Sequence, residues 1–195
     1  MKETEITVEV FNTPEEITDI LTQQGFRVVK KVDMIDYYYS KHALEELKRF
    51  AYKDLIENSF LIRYVNDGQE KVQLCYKNKV VNSQGIVVSE EKVRCSLGDM
   101  ESAKKIFNLA GLTCWCNIKQ DITVYKKDNM KFLLQEVDGL GTFIEYEEHE
   151  GMQHLSEQQK IDVLMRELST LGLKFGKDYS CKKVYLKFKK DNNLT

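Results

Sequence analysis

The chain has 195 residues, 31 % of them charged, with 29 basic and 31 acidic side chains and a formal net charge of −2. So even a balance argues against nucleic acid or an anionic membrane as the dominant partner, and no apolar run approaches the roughly 18 residues of a membrane span. Five cysteines without a CxxC pair read as free thiols of a reducing cytoplasm, no signal-peptide pattern opens the chain, and residues 1–195 suit a single domain with a substantial core.

Residues 3–11 alternate as a strand: Glu3, Glu5, Thr7 and Glu9 share one parity, Ile6, Val8 and Val10 the other. "TPEEITDILTQQG" is a helix, with Thr13 as cap, Pro14 at the first position, two acids next and Gly25 to close it. A strand over 27–39 follows, then a less regular helical segment, "SKHALEELKRFAYKDLIEN". Strands over 60–66 and 70–80 flank an Asn-Asp-Gly turn, and another strand covers 86–97. Asp99 caps a second helix that ends near Gly111. Strands at 117–126, 131–137 and 142–148 come next, then a helix from Ser156 to near Gly172, and a last strand at 180–189.

Eight or nine strands with few helices predict an α+β fold: a closed or nearly closed antiparallel β-barrel with helices packed outside. Strand, capped helix, Gly-hydrophobic and strand recur after about 86 residues, which predicts a pseudo-two-fold internal repeat. In a barrel with external helices, apolar residues face the helices and polar ones line the lumen. That parity points inward Glu3 and Glu5, then Lys77, then Glu90, Lys92 and Arg94, then Glu145 and Glu147. Such a mixture suits a site where Lys and Arg hold phosphate oxygens and glutamates hold Mg²⁺ or Mn²⁺. An ordinary solvated sheet face is the competing interpretation. His149, His154 and the basic run 187–190 read as solvated surface, and no P-loop, zinc pattern or Ser/His/Asp order is present.

Several stretches together resemble one family. "ETEIT" at 3–7, "DYYYS" at 36–40, "FLIRY" at 60–64, "LCYKN" at 74–78, "VDGLGTFIEYE" at 137–147 and "KVYLKF" at 183–188 occur in the order expected of the CYTH, or triphosphate tunnel metalloenzyme, superfamily. That superfamily includes class IV adenylate cyclases, thiamine triphosphatases and inorganic triphosphatases. The resemblance implies a tunnel-like barrel around a triphosphate or nucleotide and allows a homodimer. It puts Glu3, Glu5, Glu145 and Glu147 at metal-binding positions. Arg63 and Lys77 fall at phosphate-binding positions, Lys119 keeps part of a degraded basic strand, and Lys182 or Lys183 offers a late basic contact. Lys92 and Arg94 stand as replacements for lost cations. The departures are Thr7 for the motif lysine, Glu9 for a basic residue, Asp121 or Ile122 for an arginine, and Gln135 for an aspartate. Two functions follow: a metal-dependent triphosphatase or adenylate cyclase, or a phosphate-ligand binding module without turnover. No residue is assigned as catalytic.

Overall fold

Ile6, Val8 and Val10 alternate with Glu5, Thr7 and Glu9, and in the computed structural model this alternation divides the outside of a curled sheet from its inside. The structure describes residues 2–82 and 87–194. Its strands are β1 (Lys2–Glu3), β2 (Glu5–Val10), β3 (Arg27–Ser40), β4 (Asn58–Asn66), β5 (Glu70–Val81), β6 (Val87–Leu97), β7 (Thr113–Lys127), β8 (Met130–Val137) and β9 (Gly141–Glu147). Its helices are α1 (Pro14–Gln23), α2 (Leu44–Leu47), α3 (Tyr52–Ile56), α4 (Met100–Leu109), α5 (Glu157–Ser169) and α6 (Lys183–Asp191). None is long and apolar enough to cross a membrane.

All pairings are antiparallel, in the order β1-β6-β5-β4-β3-β7-β8-β9-β2. β1 and β2 stand at opposite ends of that order, yet only Thr4 separates them, so the sheet curls into a half-barrel. Beyond Thr4, one edge of β2 pairs with β9. The other takes up the late chain: Thr7 N–H donates to Tyr179 O at 3.0 Å, Cys181 N–H to Thr7 O at 3.0 Å, and Gly176 N–H to Glu9 O at 2.8 Å. The expected start of a strand at residue 86 lies outside the described residues.

The helices form where their ends are satisfied. Thr13 and Glu16 make a reciprocal capping box at α1, as Ser156 and Gln159 do at α5, and Asp99 accepts from Ser102 N–H at 2.6 Å to start α4. Gly25, at φ +84°, supplies the left-handed turn after α1. Ile17 and Leu21 of α1 and Leu164 and Leu168 of α5 pack on Ile6, Val8, Phe132, Ile144 and Tyr146. Ala103 and Phe107 of α4 cover Tyr39 and Ile62.

The last expected strand is a helix. Val184, Leu186 and Phe188 alternate, which predicts a strand over 180–189. Residues 180–189 also carry the helical spacing Val184, Tyr185, Phe188, and packing decides between the two periods. Val184 and Phe188 are buried with Cys116, Ile118, Val137 and Phe143, and the Trp115 ring meets Phe188 edge-on at 5.1 Å. These partners lie on the inner parity of their strands, so α6 plugs one end of the lumen. The segment after Ser40 forms two short helices, α2 and α3, instead of one.

Candidate functional site: a charged cavity inside the sheet

The sheet encloses a cavity of about 260 Å³, lined by alternate residues of β2 through β9 and by residues 181–184 at the plug. Seven cations reach it: Arg63 from β4, Lys77 and Lys79 from β5, Lys92 and Arg94 from β6, and Lys182 and Lys183 at the start of α6. Five carboxylates face them: Glu5, Asp36, Glu90, Glu145 and Glu147. Parity within each strand produces this convergence, since residues two apart share a face. Register then brings neighbours together: Arg63 lies opposite Asp36, Lys77 opposite Lys92, Lys79 opposite Glu90, and Glu5 opposite Glu147.

Most of the charges are paired. Arg63 grips Asp36 through two bonds of 2.6 Å. Burial alone would raise the Asp36 carboxyl, but the guanidinium outweighs it and holds the group below its ordinary value. The Lys92 ammonium stands 2.8 Å from Glu5, 3.5 Å from Glu90 and 3.8 Å from Glu147. Against the opposing effect of burial, Glu5 and Glu90 raise its pKa well above the ordinary lysine range. Lys183 lies 3.0 Å from Glu145 and also contacts Gln135, and these cations keep the buried Glu145 carboxyl ionised. Lys79 behaves differently. It sits 3.2 Å from Glu90, yet desolvation outweighs that attraction and lowers its pKa to about 8. Among the described residues, Lys77 and Arg94 are the lining cations that no ion pair engages.

One carboxylate oxygen from each of Glu5, Glu145 and Glu147 lies within 4.8 Å of the others. Oxygens bound to one ion at about 2.1 Å sit roughly 3–4 Å apart, so a small convergence would let this trio hold a hard divalent cation. An oxygen-only donor set suits Mg²⁺ or Mn²⁺ better than zinc.

The structure thus brings Glu5, Glu145, Glu147, Arg63, Lys77, Lys92, Arg94 and Lys183 to one cavity. The Glu3 side chain lies outside the described residues. Lys119 is elsewhere: it is exposed in a separate outer depression with Asp121 and Glu136, while Gln120 and Ile122 take the inward places. Thr7 lines the cavity and Glu9 does not. Sequence reasoning missed Lys79 and Asp36 as parts of the site, while Lys182 and Lys183, the two alternatives for a late basic contact, both line it. The parity of Lys77 carried on to Lys79 would have found the first.

No family model matches the chain. A curated relative from Methanocaldococcus jannaschii, described as "Putative adenylate cyclase MJ0240", is 24 % identical over 189 residues, which is 97 % of this chain and 99 % of that one. The PH1819 protein of Pyrococcus horikoshii OT3 superposes with a TM-score of 0.71 at 20 % identity, covering 97 % of this chain and 99 % of that one. The Hippeastrum protein HpAC1, described as an adenylyl cyclase with a dominant triphosphatase activity, gives a TM-score of 0.59 at 15 % identity, over 97 % and 96 % of the two chains. Over its full length the chain is thus similar to a protein described as a putative adenylate cyclase, and it shares the fold of these solved structures.

Proposed function

We propose that the chain binds a triphosphate together with Mg²⁺ or Mn²⁺ and turns it over, hydrolysing an inorganic or organic triphosphate or cyclising ATP. The observation that carries this reading is the cavity in which seven cations surround a carboxylate trio whose oxygens lie within 4.8 Å. Catalysis of phosphoryl transfer rests largely on positioning and charge neutralisation, which such a lining supplies. Lys77 and Arg94 donate to phosphate oxygens. Arg63, fixed by Asp36, presents its remaining N–H groups from a rigid position. Lys183, at the plug, caps the inner end of the phosphate chain. Glu5, Glu145 and Glu147 would hold the divalent ion, at the place Lys92 occupies beside Glu5. The bound ion supplies charge neutralisation at the phosphate oxygens. The relatives described as adenylate cyclases and as a triphosphatase support the substrate class.

A second reading has an observation in its favour. Lys92 already stands among Glu5, Glu90 and Glu147, where a cation would otherwise be needed, and this suits a binding module without turnover. A panel with tripolyphosphate, thiamine triphosphate and ATP, scoring orthophosphate, pyrophosphate and cyclic AMP, separates the two. Metal-dependent product from any member supports the enzyme. Binding with no product across the panel supports the module.

The tunnel reading also takes the half-barrel to close through the N-terminal segment, with residues 1–195 acting as one domain. It treats β2-α1-β3 and β6-α4-β7 as copies related by an approximate two-fold axis. A crystal structure in which the two units fail to superpose would contradict the repeat. The five free cysteines suit a reducing cytoplasm, and fractionation of native cells checks that placement.

A further inference from the structure

The cavity has two chemically distinct walls. β2, β4, β5, β6, β9 and the plug carry every charge except Asp36 of β3. β3, β7 and β8 instead turn Val32, Met34, Ile122, Val124 and Leu133 to the lumen. Ile122 and Val124 are buried, whereas Val32, Met34 and Leu133 are half-buried and, among the described residues, join none of the hydrophobic clusters. Register makes them one patch: Val32 lies opposite Ile122, and Val124 opposite Leu133. The patch abuts the charged wall, since Leu133 is the register partner of Glu145 and Ile122 that of Gln135. Gln120, on the same face of β7, is 3 % exposed and its side-chain oxygen has no hydrogen-bond partner.

The half-buried Val32, Met34 and Leu133 keep apolar surface against the cavity, whose burial free energy a ligand can recover. An inorganic triphosphate cannot recover it, because every oxygen it presents would lose water against this wall. A buried amide with an unmet hydrogen bond likewise calls for a partner on the ligand. Resting on the triphosphate reading above, we propose that the ligand is a triphosphate monoester whose organic group is uncharged and largely apolar. That group lies on Val32, Met34, Ile122, Val124 and Leu133, with the Gln120 amide as its polar contact, while the phosphates lie on the charged wall.

The test compares ligands of matched charge. Calorimetry with methyl triphosphate and isopentyl triphosphate, both with Mg²⁺, gives at least tenfold tighter binding of the isopentyl ester; tripolyphosphate is run alongside. Ile122→Asn or, where that variant does not fold, the half-buried Leu133→Asn reduces the advantage below threefold. Equal affinity for the two esters, with tripolyphosphate still bound, overturns the apolar subsite and leaves the triphosphate reading standing. An advantage that persists in the folded variants overturns the placement of the organic group. No binding of any of the three ligands overturns both readings.

Discussion

Arg63 and Lys77 line the same cavity but differ in their partners. Asp36 is 3 % exposed and engages Arg63 through both carboxylate oxygens. Arg63→Ala would leave that carboxylate buried and unpaired, so about 3–5 kcal/mol of stability should disappear, read as a lower midpoint in urea. Lys77 has no such partner among the described residues. Lys77→Ala should keep the fold's denaturation midpoint and weaken tripolyphosphate binding by about tenfold, the value of one charge-assisted bond. The pH effects also differ in sign. Asp36 has a lowered pKa in the fold, so its contribution is complete above the unfolded value of about 3.9 and is lost as pH falls through the folded one. Lys79, with a folded pKa of about 8, binds fewer protons than the unfolded chain between there and about 10.4, so its share of stability rises with pH across that window. Ligand affinity should do the opposite. As Lys79 loses its charge, tripolyphosphate titrations from about pH 7 to pH 9 should weaken, with a slope that Lys79→Met removes.

Capping residues act at the level of whole elements, and they were legible in the sequence. Thr13, Asp99 and Ser156 each stand before an amphipathic run, and each caps the helix it announces. Ser156→Ala should cost about 1 kcal/mol, measurable as a shift of the thermal midpoint. α6 was not legible, because Val184, Leu186 and Phe188 satisfy a period of two and only the surrounding packing selects the helix. Phe188→Ala should cost about 3–5 kcal/mol and loosen the plug, seen as faster amide exchange at residues 183–188. On β7 the inward place expected of Lys119 rests on the family resemblance, and packing decides otherwise. The rule that polar residues face the lumen holds where a helix covers the sheet from outside, as α1 and α5 cover β2, β8 and β9. On β3 and β7 the outward residues Lys31, Asp33, Lys119 and Asp121 meet water, so the apolar parity turns inward. Lys119 therefore lies outside the cavity and Ile122 inside it. The acidic strands β2 and β9 were legible because Ile6, Val8, Ile144 and Tyr146 leave no doubt about their outer face.

For the molecule as a whole, the charged lumen is a balance of opposite charges held out of bulk water. Glu5, Glu145 and Glu147 repel one another, and Lys92 and Lys183 compensate them. On the proposed function, a divalent ion would take the place of the Lys92 ammonium at the carboxylates, and the phosphates would take up the released positive charge. Binding of each should therefore strengthen binding of the other, by the same factor in both directions. The direct measurement is calorimetry of Mn²⁺ binding with and without tripolyphosphate, in the native chain and in Glu5→Gln and Glu145→Gln. The account predicts weak Mn²⁺ binding alone, at least tenfold tighter binding with tripolyphosphate, and loss of that gain in both variants. A ligand-dependent gain untouched by either substitution would show that the inward acidic face is not the metal site and would contradict the account.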